Sequence, residues 1–321
     1  MILVRTLVIT NYLPMLFLHF PIAIYFYFCD DHNILFWELT YYIYSLRVTY
    51  LLLTSYNYYH VAHGLARGGL SSRLLIFTFI LYIIYEKRNK IMPLRIVFVF
   101  FIVCFASNAR AGIISAVLLL VGYWFIYMQK EKKLNNNNYK VQIQKVFMIM
   151  LFLIISMYVY LNFEDIFDKY LYRFSSSSKN DVASTESRFF IWNLYLLSLS
   201  NLENLILGNN TYILLPKVYD GNLHNSFLMT HACLGIIAFY YMCVFSFRSV
   251  MKALKAKNYG LFLLFITFLL RAATDRIFPA KTGDIPMFIM IFYSSYDFLK
   301  DKNKILGEYK LNEKSKYDIL R

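Results

Sequence analysis

Long apolar runs, each close to the length of a membrane-spanning helix, recur along this chain and are separated by short polar segments. An α-helix needs about 20 mainly apolar residues to cross the hydrocarbon core of a bilayer. The runs that approach this length are residues 7–28, 34–54, 70–85, 92–107, 111–128, 146–162, 225–247, 259–274 and 284–299. The pattern predicts an all-α fold, a polytopic membrane bundle of about eight to ten transmembrane helices, with residues 1–321 forming a single membrane domain.

The composition excludes an ordinary soluble domain. Hydrophobic residues make up 59% of the 321 positions and charged residues only 16%, whereas soluble domains are about half apolar and about a quarter charged. The formal net charge of +14 does not indicate nucleic-acid binding, because most Lys and Arg residues fall in short loops that orient a membrane protein. The four cysteines lie mostly in apolar runs, which predicts small buried side chains rather than a zinc site or a disulfide framework.

Basic residues cluster in segments that are predicted to stay on the cytoplasmic side of the membrane. They are residues 87–95, 130–145, 248–257 and the tail 300–321. Alternation of the spans then places the long segment 163–224 on the outer side. The other outer segments are the loops 55–69, 107–110 and 275–283. The same parity puts Asp30 and Asp31 inside with little basic support, so missing spans or a tilted or re-entrant segment 7–28 are the alternatives.

The outer segment 163–224 is too long to be a simple connector, because loops beyond about 12–15 residues usually carry function or lack structure. Its stretch Thr185 to Leu199 is predicted to form an apolar helix that lies in the membrane interface. Trp192 and Tyr195 would then lie near the lipid headgroups. Such a helix would roof a cavity that opens to the outer leaflet. The alternative is a lid without chemistry.

Two arginines on the predicted outer face are candidate phosphate ligands, because the planar guanidinium group presents a fork of donors that matches two phosphate oxygens. Arg188 opens the predicted interfacial helix, and its alternative role is to anchor that helix to lipid headgroups. Arg110 lies on a tight turn between two spans, among small residues that let helices pack closely. Its alternative role is to extend toward the outer headgroups, although Arg on that side runs against the usual charge bias.

His224 and Asn225 stand where the chain re-enters the predicted membrane. A histidine accepts a proton near neutral pH, which makes His224 a candidate general base toward a sugar hydroxyl. The alternative is that His224 is an interface residue and that Asn225 caps the following helix. Further outer residues that are candidate substrate contacts, besides Asn225, are Arg67, Gly208 and Arg276.

Two other predictions concern the ends of spans. Arg271, Asp275 and Arg276 lie together at an outer helix end, where they could help to shape an anion site. His231 follows His224 in the same predicted helix and is expected to face the bundle as a packing or hydrogen-bonding group. The sequence contains no Gly-rich phosphate loop, no His-Glu-x-x-His motif and no Asp-x-Asp pair, so we predict no metal site.

With these residues identified, the chain resembles the O-antigen polymerase and ligase superfamily, and the Wzy-type polymerases in particular. The family's Ser-Arg-Gly-type turn ahead of an apolar helix is similar to SNARAGIISAVLLL. Its Arg-x3-Trp helix and Leu-Gly-x-Gly turn are similar to ESRFFIWNLYLLSL followed by LILGNNTY. Its His-Asn motif ahead of a helix with Gly is similar to LHNSFLMTHACLGII. The resemblance covers roughly residues 90–250.

The resemblance implies a metal-independent glycosyltransferase without a cofactor, in the bacterial inner membrane, with its active face toward the periplasm. Its substrate would be a polyprenyl diphosphate-linked glycan, which is transferred onto a lipid-linked repeat unit in lipopolysaccharide or other surface polysaccharide biosynthesis. By the matching motif positions, Arg110 and Arg188 would hold the diphosphate, and His224 would take the proton from the acceptor hydroxyl. Membrane lipids and a chain-length regulator protein would be partners, and nucleic acid would not.

The chain departs from the family pattern at Asn209, which replaces the second Gly of the turn, and at Asn108-Ala109, which separate Ser107 from Arg110. An O-antigen ligase, which transfers the glycan to lipid A core, shares these motifs and stays an alternative. A transporter or flippase of lipid-linked oligosaccharide would require charged groups along span interiors and paired broken helices. A non-catalytic membrane scaffold would leave the candidate residues without a shared cavity.

Overall fold

The structure is a computed structural model that describes residues 17–30, 32–54, 60–61, 65–107, 110–134, 185–216, 221–279 and 281–295. In chain order its helices are α1 (Phe17–Phe28), α2 (Ile34–Thr54), α3 (Arg67–Lys87), α4 (Leu94–Ser107), α5 (Arg110–Leu134), α6 (Thr185–Ser198), α7 (Leu202–Leu207), α8 (Thr211–Leu214), α9 (Ser226–Lys255), α10 (Tyr259–Thr274) and α11 (Asp284–Ser295). A two-residue antiparallel pair, β1 (His60–Val61) and β2 (Leu65–Ala66), precedes α3. Apart from this hairpin, the all-α prediction is confirmed for the described residues.

Most predicted spans coincide with helices. The bounds of α2 and α10 are the predicted ones, 34–54 and 259–274. Helix α3 begins at Arg67, so the loop before it is shorter than predicted and Arg73 lies within the helix. Several predicted parts lie outside the described residues, namely residues 7–16 of the first span, 135–145 of a basic segment, the span 146–162, residues 163–184 of the outer segment, residues 296–299 of the last span and the tail 300–321.

The helices have the length and surface of a membrane protein. Those long and apolar enough to cross a membrane are Gly69–Lys87, Ala111–Gln129 and Ser226–Lys255, and shorter apolar helices are α1, α4, α10 and α11. On α2 the large apolar side chains Leu35, Leu39, Ile43 and Leu46 are exposed on one face. Soluble monomers rarely expose so continuous an apolar face, which is the kind of surface that a membrane protein presents to lipid. The total of eight to ten spans and the choice of membrane stay predictions.

Helices α5 and α10 pack antiparallel, and the basic helix ends collect at one end of the bundle. A Cβ added at Gly122 of α5 would lie 2.8 Å from the Leu263 side chain of α10. Asn258, at the start of α10, donates to Glu86 Oε1 over 2.9 Å and accepts from the Tyr82 hydroxyl over 2.8 Å, so this start lies beside the end of α3. The basic ends of α3 and α9 therefore share one end of the bundle, as predicted. The other end, where α9 and α11 begin and α10 ends, is called the site end below.

Helix α1 runs in the direction that span parity predicts. Lys87, at the end of α3, donates from Nζ to the Cys29 carbonyl over 2.7 Å and lies 3.5 Å from the Asp30 carboxylate. The end of α1 therefore lies opposite the site end. Near its beginning, His19 of α1 contacts Asp284 at the start of α11, which is at the site end.

Residues 185–216, called the roof segment below, pack on the beginning of α9 through a small core of their own. Ile191 and Tyr195 of α6 are fully buried in this core together with Leu223. The other face exposes large apolar side chains, among them Leu197 at 71%. The predicted helix is confirmed, but the prediction that Tyr195 lies near the headgroups is wrong, because its ring is fully buried and its hydroxyl contacts His231 of α9. The exposed apolar face of the helix is what an interfacial position requires.

Candidate functional site

Arg188 and Trp192 hold helix α6 against the bundle. They lie one helical turn apart and therefore face the same side of the helix. Arg188 donates from Nη1 to the Thr274 carbonyl, at the end of α10, over 3.0 Å. The Trp192 indole donates from Nε1 to the Leu223 carbonyl over 2.7 Å, directly before His224. The Arg-x3-Trp spacing thus brings the Arg188 guanidinium, the end of α10 and the start of α9 together.

His231 forms a second connection between the roof segment and α9. Its Nε2 lies 2.8 Å from the Leu205 carbonyl oxygen, which can only accept, so Nε2 carries the proton of this hydrogen bond. In that tautomer Nδ1 accepts from the Tyr195 hydroxyl over 2.6 Å. The His231 side chain is buried. The prediction that His231 is a packing or hydrogen-bonding group is confirmed.

Gly208 and Gly235 let the roof segment touch the backbone of α9. Gly208 has φ +82°, and a Cβ there would lie 2.3 Å from the His231 carbonyl oxygen. Gly235 has φ +79° and interrupts the helical backbone of α9, and a Cβ there would lie 2.5 Å from the Ile206 carbonyl oxygen. Neither position admits a side chain unless the backbone moves. The Leu-Gly turn therefore has a packing role, and a substrate contact of Gly208 stays a prediction.

His224 occupies a strained turn at the start of α9. Its φ is +49°, in the left-handed region that few non-glycine residues adopt, and its N–H donates to Asn222 Oδ1 over 2.9 Å. Asn225 is the N-cap of α9, because its Oδ1 accepts from the N–H groups of Phe227 and Leu228. Capping is the alternative role named above for Asn225, and a substrate contact of its amide stays a prediction. Backbone strain of this kind collects at functional sites, where the surrounding structure enforces it.

The surroundings of His224 keep its imidazole neutral. Partial burial lowers the pKa of His224, and the positive charges of Arg188 and Lys281 lower it further. The Asp275 carboxylate acts in the opposite direction, but the net shift of the pKa is downward. The imidazole is therefore neutral at neutral pH and able to accept a proton.

Asp275 joins three helices at the site end. Arg271, which is 3% exposed, donates from Nη2 to Asp275 Oδ2 over 3.1 Å and from Nε to Ser72 Oγ of α3 over 2.9 Å. Ser226 of α9 donates to the Asp275 carbonyl over 2.8 Å. Burial alone would raise the pKa of Asp275, but the charge of Arg271 and a hydrogen bond from the backbone N–H of Arg276 lower it below its ordinary value. The carboxylate therefore stays ionised, and the predicted grouping of Arg271 with Asp275 is confirmed.

Positive charge exceeds negative charge around this carboxylate. The basic side chains that act electrostatically on His224, Asp275 or Lys281 are Arg73, Arg188, Arg271, Arg276 and Lys281 itself. Although Lys281 is exposed at the surface, desolvation of its ammonium group lowers its pKa, and the charge of Arg276 lowers it further. Cations that lie close enough to lower one another's pKa are typical of a site that binds an anion.

A buried pair beside Lys281 escaped prediction from the sequence. His19 of α1 donates from Nδ1 to Asp284 Oδ2 over 3.0 Å, and the two side chains are only 7% and 4% exposed. The same oxygen accepts from the backbone N–H of Lys281 over 3.1 Å. The pair therefore holds the Lys281 loop and joins α1 to α11. The sequence did contain a signal for this pair, because His19 lies within one apolar run and Asp284 opens another. Polar groups in such runs usually need a partner.

The position of the Arg110 backbone along the bundle follows from its helix, because Arg110 is the first residue of α5. It precedes Gly122 by twelve residues, and Asp275 follows Leu263 by twelve, so each lies about 18 Å from the Gly122–Leu263 contact along antiparallel helices. The start of α5 is therefore level with Asp275 at the site end. Arg67 opens α3 at the same end. The side chains of both arginines lie outside the described part of the chain, and their ligand contacts stay predictions.

Within the described residues, no group of three or more His, Cys, Asp and Glu side chains could hold a metal ion. All four cysteines are free. Cys104 and Cys233 are buried, as predicted, whereas Cys29 is exposed. The groups that the site offers to chemistry are thus guanidinium and ammonium cations, a carboxylate and a neutral imidazole.

Comparisons with protein-family models, with curated proteins and with solved structures found no match. The fold and the site define the protein as a class: an α-helical protein with helices long and apolar enough to span a membrane, and a basic site at one end of its bundle. What such a site acts on has to be argued from its chemistry.

Proposed function

We propose that this protein is a surface polysaccharide polymerase, which transfers a polyprenyl diphosphate-linked glycan onto a lipid-linked repeat unit. The observation that carries the proposal is the position of His224, whose turn at the start of α9 lies beside Arg188 and Asp275 at one end of the bundle. A diphosphate leaving group requires cations and a hydroxyl acceptor requires a base, and both are present here. Metal-independent transfer needs no further kind of group.

In the proposed reaction, the acceptor hydroxyl oxygen forms a bond to the anomeric carbon of the donor glycan, and the bond from that carbon to the diphosphate oxygen breaks. The diphosphate leaves with the bonding electron pair, and His224 takes the hydroxyl proton. Arg188, together with Arg110 at the same end, stabilises the charge that develops on the leaving group. Loss of one such donor typically costs about 100- to 1,000-fold in rate, and general base catalysis contributes about 100- to 10,000-fold.

Asp275 serves the reaction by positioning other groups. Its carboxylate holds Arg271 and raises the proton affinity of His224, opposing the effect of Arg188. Arg276 adds positive charge beside it. A site that must hold an anion and still keep a base effective near neutral pH requires this balance of charges.

The proposed setting is the bacterial inner membrane, with the site end toward the periplasm and the basic ends of α3 and α9 in the cytoplasm. The exposed apolar face of the roof segment would rest in the outer interface. Membrane lipids and a chain-length regulator protein are the proposed partners.

Two alternative functions are a ligase and a flippase, and they would use the site in different ways. A ligase would use the same groups with lipid A core as the acceptor. A flippase of lipid-linked oligosaccharide gains support from the break in α9 at Gly235, since transporters use broken helices. The break, however, is occupied by the backbone of the roof segment at Ile206, which favours a packing role for it.

The test is the polysaccharide ladder of the host strain after deletion of the gene and complementation with variants. The unaltered protein should restore the ladder, and His224→Ala and Arg188→Ala should not. Arg248→Ala is the matched control, because Arg248 is exposed on α9 away from the site end and should restore the ladder. Membrane abundance of each variant is measured by immunoblot.

The deletion phenotype separates the alternatives. A single repeat unit on core indicates a polymerase, whereas bare core with accumulated lipid-linked polymer indicates a ligase. Lipid-linked repeat units retained on the cytoplasmic face indicate a flippase. Full ladders from both His224→Ala and Arg188→Ala would refute the proposed site.

A further inference from the structure

Ser226 is the first residue of α9, and it is fully buried. A serine at the start of a helix ordinarily caps that helix, but here the side chain of Asn225 is the cap. The Ser226 hydroxyl instead contacts the segment 275–278, which follows α10 and lies 49 residues or more away along the chain. The reaction proposed above gives this hydroxyl no role.

Three backbone groups of the segment 275–278 share the one hydroxyl oxygen. Ser226 Oγ donates to the Asp275 carbonyl over 2.8 Å. It accepts from the Ile277 N–H over 2.9 Å and from the Phe278 N–H over 3.3 Å. A hydroxyl group has one donor and two acceptor sites, so its full hydrogen-bonding capacity is used. The backbone that leaves α10 is therefore fixed relative to the start of α9.

This segment carries the carboxylate that acts on the candidate base. Asp275 Oδ1 accepts from the Arg276 N–H over 2.8 Å, so the orientation of the carboxylate depends on the backbone that Ser226 holds. The charge of Asp275 acts on His224, which lies two residues before Ser226 in the chain. The Ser226 hydroxyl thus joins the part of the site that holds the carboxylate to the part that holds the imidazole.

We propose that Ser226 is a positioning residue, whose hydroxyl holds the segment 275–278 against the start of α9 and so keeps the Asp275 carboxylate beside His224. The proposal rests on the proposed function only in taking His224 as the base of the reaction. Without the hydroxyl, three backbone groups lose their shared partner, and the segment has to turn to find others. The Phe278 ring is buried against α9, so the segment stays at the bundle and the change is local.

The test compares the titration of His224 in the purified full-length chain in detergent and in its variants. Diethyl pyrocarbonate modifies only the neutral imidazole, so the pH dependence of His224 modification, read by mass spectrometry, reports its pKa. The Asp275 carboxylate raises this pKa, whereas Arg188 of α6 and Lys281 of the loop before α11 lower it. Ser226→Ala should therefore shift the profile to lower pH by about 0.5 units, which changes the neutral fraction about threefold.

A double variant shows whether Ser226 acts through the carboxylate. A hydroxyl that only positions Asp275 has no further effect on His224 once the carboxylate has been removed. In the Asp275→Asn background, Ser226→Ala should therefore leave the profile of His224 unchanged. A second shift of the same size in the double variant overturns the proposal, and so does an unchanged profile in Ser226→Ala alone.

Ser249→Ala is the matched control. Ser249 is also fully buried on α9, and its hydroxyl donates to the Met290 carbonyl of α11 over 2.6 Å. It lies near the other end of α9, about 35 Å from Ser226 along the helix. Its loss should leave the His224 profile in place. A shift equal to that of Ser226→Ala would mean that any loosening of α9 suffices, which overturns the proposal.

A second measurement uses the unaltered chain, so it holds even if Ser226→Ala does not fold. The Ile277 and Phe278 amides should exchange with solvent at least about tenfold more slowly than in an unstructured peptide. Exchange of both amides at the unstructured rate overturns the proposal. These measurements need no turnover, so their failure leaves the proposed function standing. A full polysaccharide ladder from His224→Ala would overturn the proposed function without moving either readout.

Discussion

Replacement of Gly208 by alanine should detach the roof segment from α9. The added Cβ would lie 2.3 Å from the carbonyl oxygen of His231 and 2.5 Å from that of Ala232. Both neighbours are backbone atoms, so rotation of a side chain cannot relieve the overlap. Gly208 also has φ +82° and ψ −177°, a region that is open essentially to glycine alone and costs another residue about 1–3 kcal/mol.

Overlap in a packed region adds about 1–3 kcal/mol, so the two effects together should cost about 2–6 kcal/mol of docking free energy. Each 1.4 kcal/mol is a factor of ten, so the middle of this range, about 4 kcal/mol, raises the undocked population by about 1,000-fold. Amide hydrogen exchange reports this population. The Leu215 N–H, which donates to the Thr211 carbonyl within the roof segment, should exchange faster by that factor.

Gly69→Ala is the matched control, because a Cβ at Gly69 meets nothing within 4 Å. Alanine is preferred to glycine in a helix by about 0.5–1 kcal/mol, so this variant should exchange no faster than the unaltered chain. Exchange of the roof amides at the unaltered rate in Gly208→Ala would refute the inference that the backbones of Gly208 and α9 are in contact.

Two other variants test the charges at the site end. Asp275→Asn should lower the pKa of His224 further, because the carboxylate raises that pKa and nothing then opposes Arg188. Only the neutral imidazole reacts with diethyl pyrocarbonate, so modification of the His224 peptide, read by mass spectrometry, should extend to lower pH. Arg271→Met breaks a buried ion pair and should cost about 3–5 kcal/mol, seen as a lower unfolding temperature in detergent.

The variants Asp275→Asn and Arg271→Met each have a control variant at a position far from the site end. Asp30 is 60% exposed at the opposite end of the bundle, so Asp30→Asn should leave the His224 profile in place. A shift of the profile to higher pH in Asp275→Asn would contradict the electrostatic account. Arg248→Met should change stability by no more than about 0.5 kcal/mol, since Arg248 is exposed. Equal unfolding temperatures for the Arg248 and Arg271 variants would contradict the network at Asp275.

The helices were predictable where hydrophobicity alone determines them. The run 34–54 and the run 259–274 are bounded by polar residues, and both became helices with those bounds. The grouping of the basic ends of α3 and α9 at one end of the bundle was also predictable, because the Lys and Arg signal adds up over several loops. The hydrogen-bonding role of His231 and the grouping of Arg271 with Asp275 were also foreseen, since a polar group inside an apolar run must find a partner.

The contacts that complete the site depend on which helices become neighbours, and periodicity does not determine this. Nothing local pairs His19 with Asp284 or Arg271 with Ser72. The same limit applies to Gly208, which looked like a turn glycine and proves to be a close contact between two segments. A cavity between α1, α2, α3 and the start of α11 forms only when four helices pack together, so no single stretch of the sequence predicts it.

The pair His19 and Asp284 has a consequence for the order in which the protein matures. Its members are 265 residues apart, so at about 5–20 residues per second the second emerges from the ribosome about 13–53 s after the first. Until then His19 has no Asp284 carboxylate to contact, and the backbone N–H of Lys281 has no Asp284 acceptor. A nascent chain arrested before Asp284 would therefore lack the pair, and a crosslink between cysteines placed at positions 19 and 284 would report when these two positions come together. Formation of this pair therefore waits until the first residue of α11 has been synthesised.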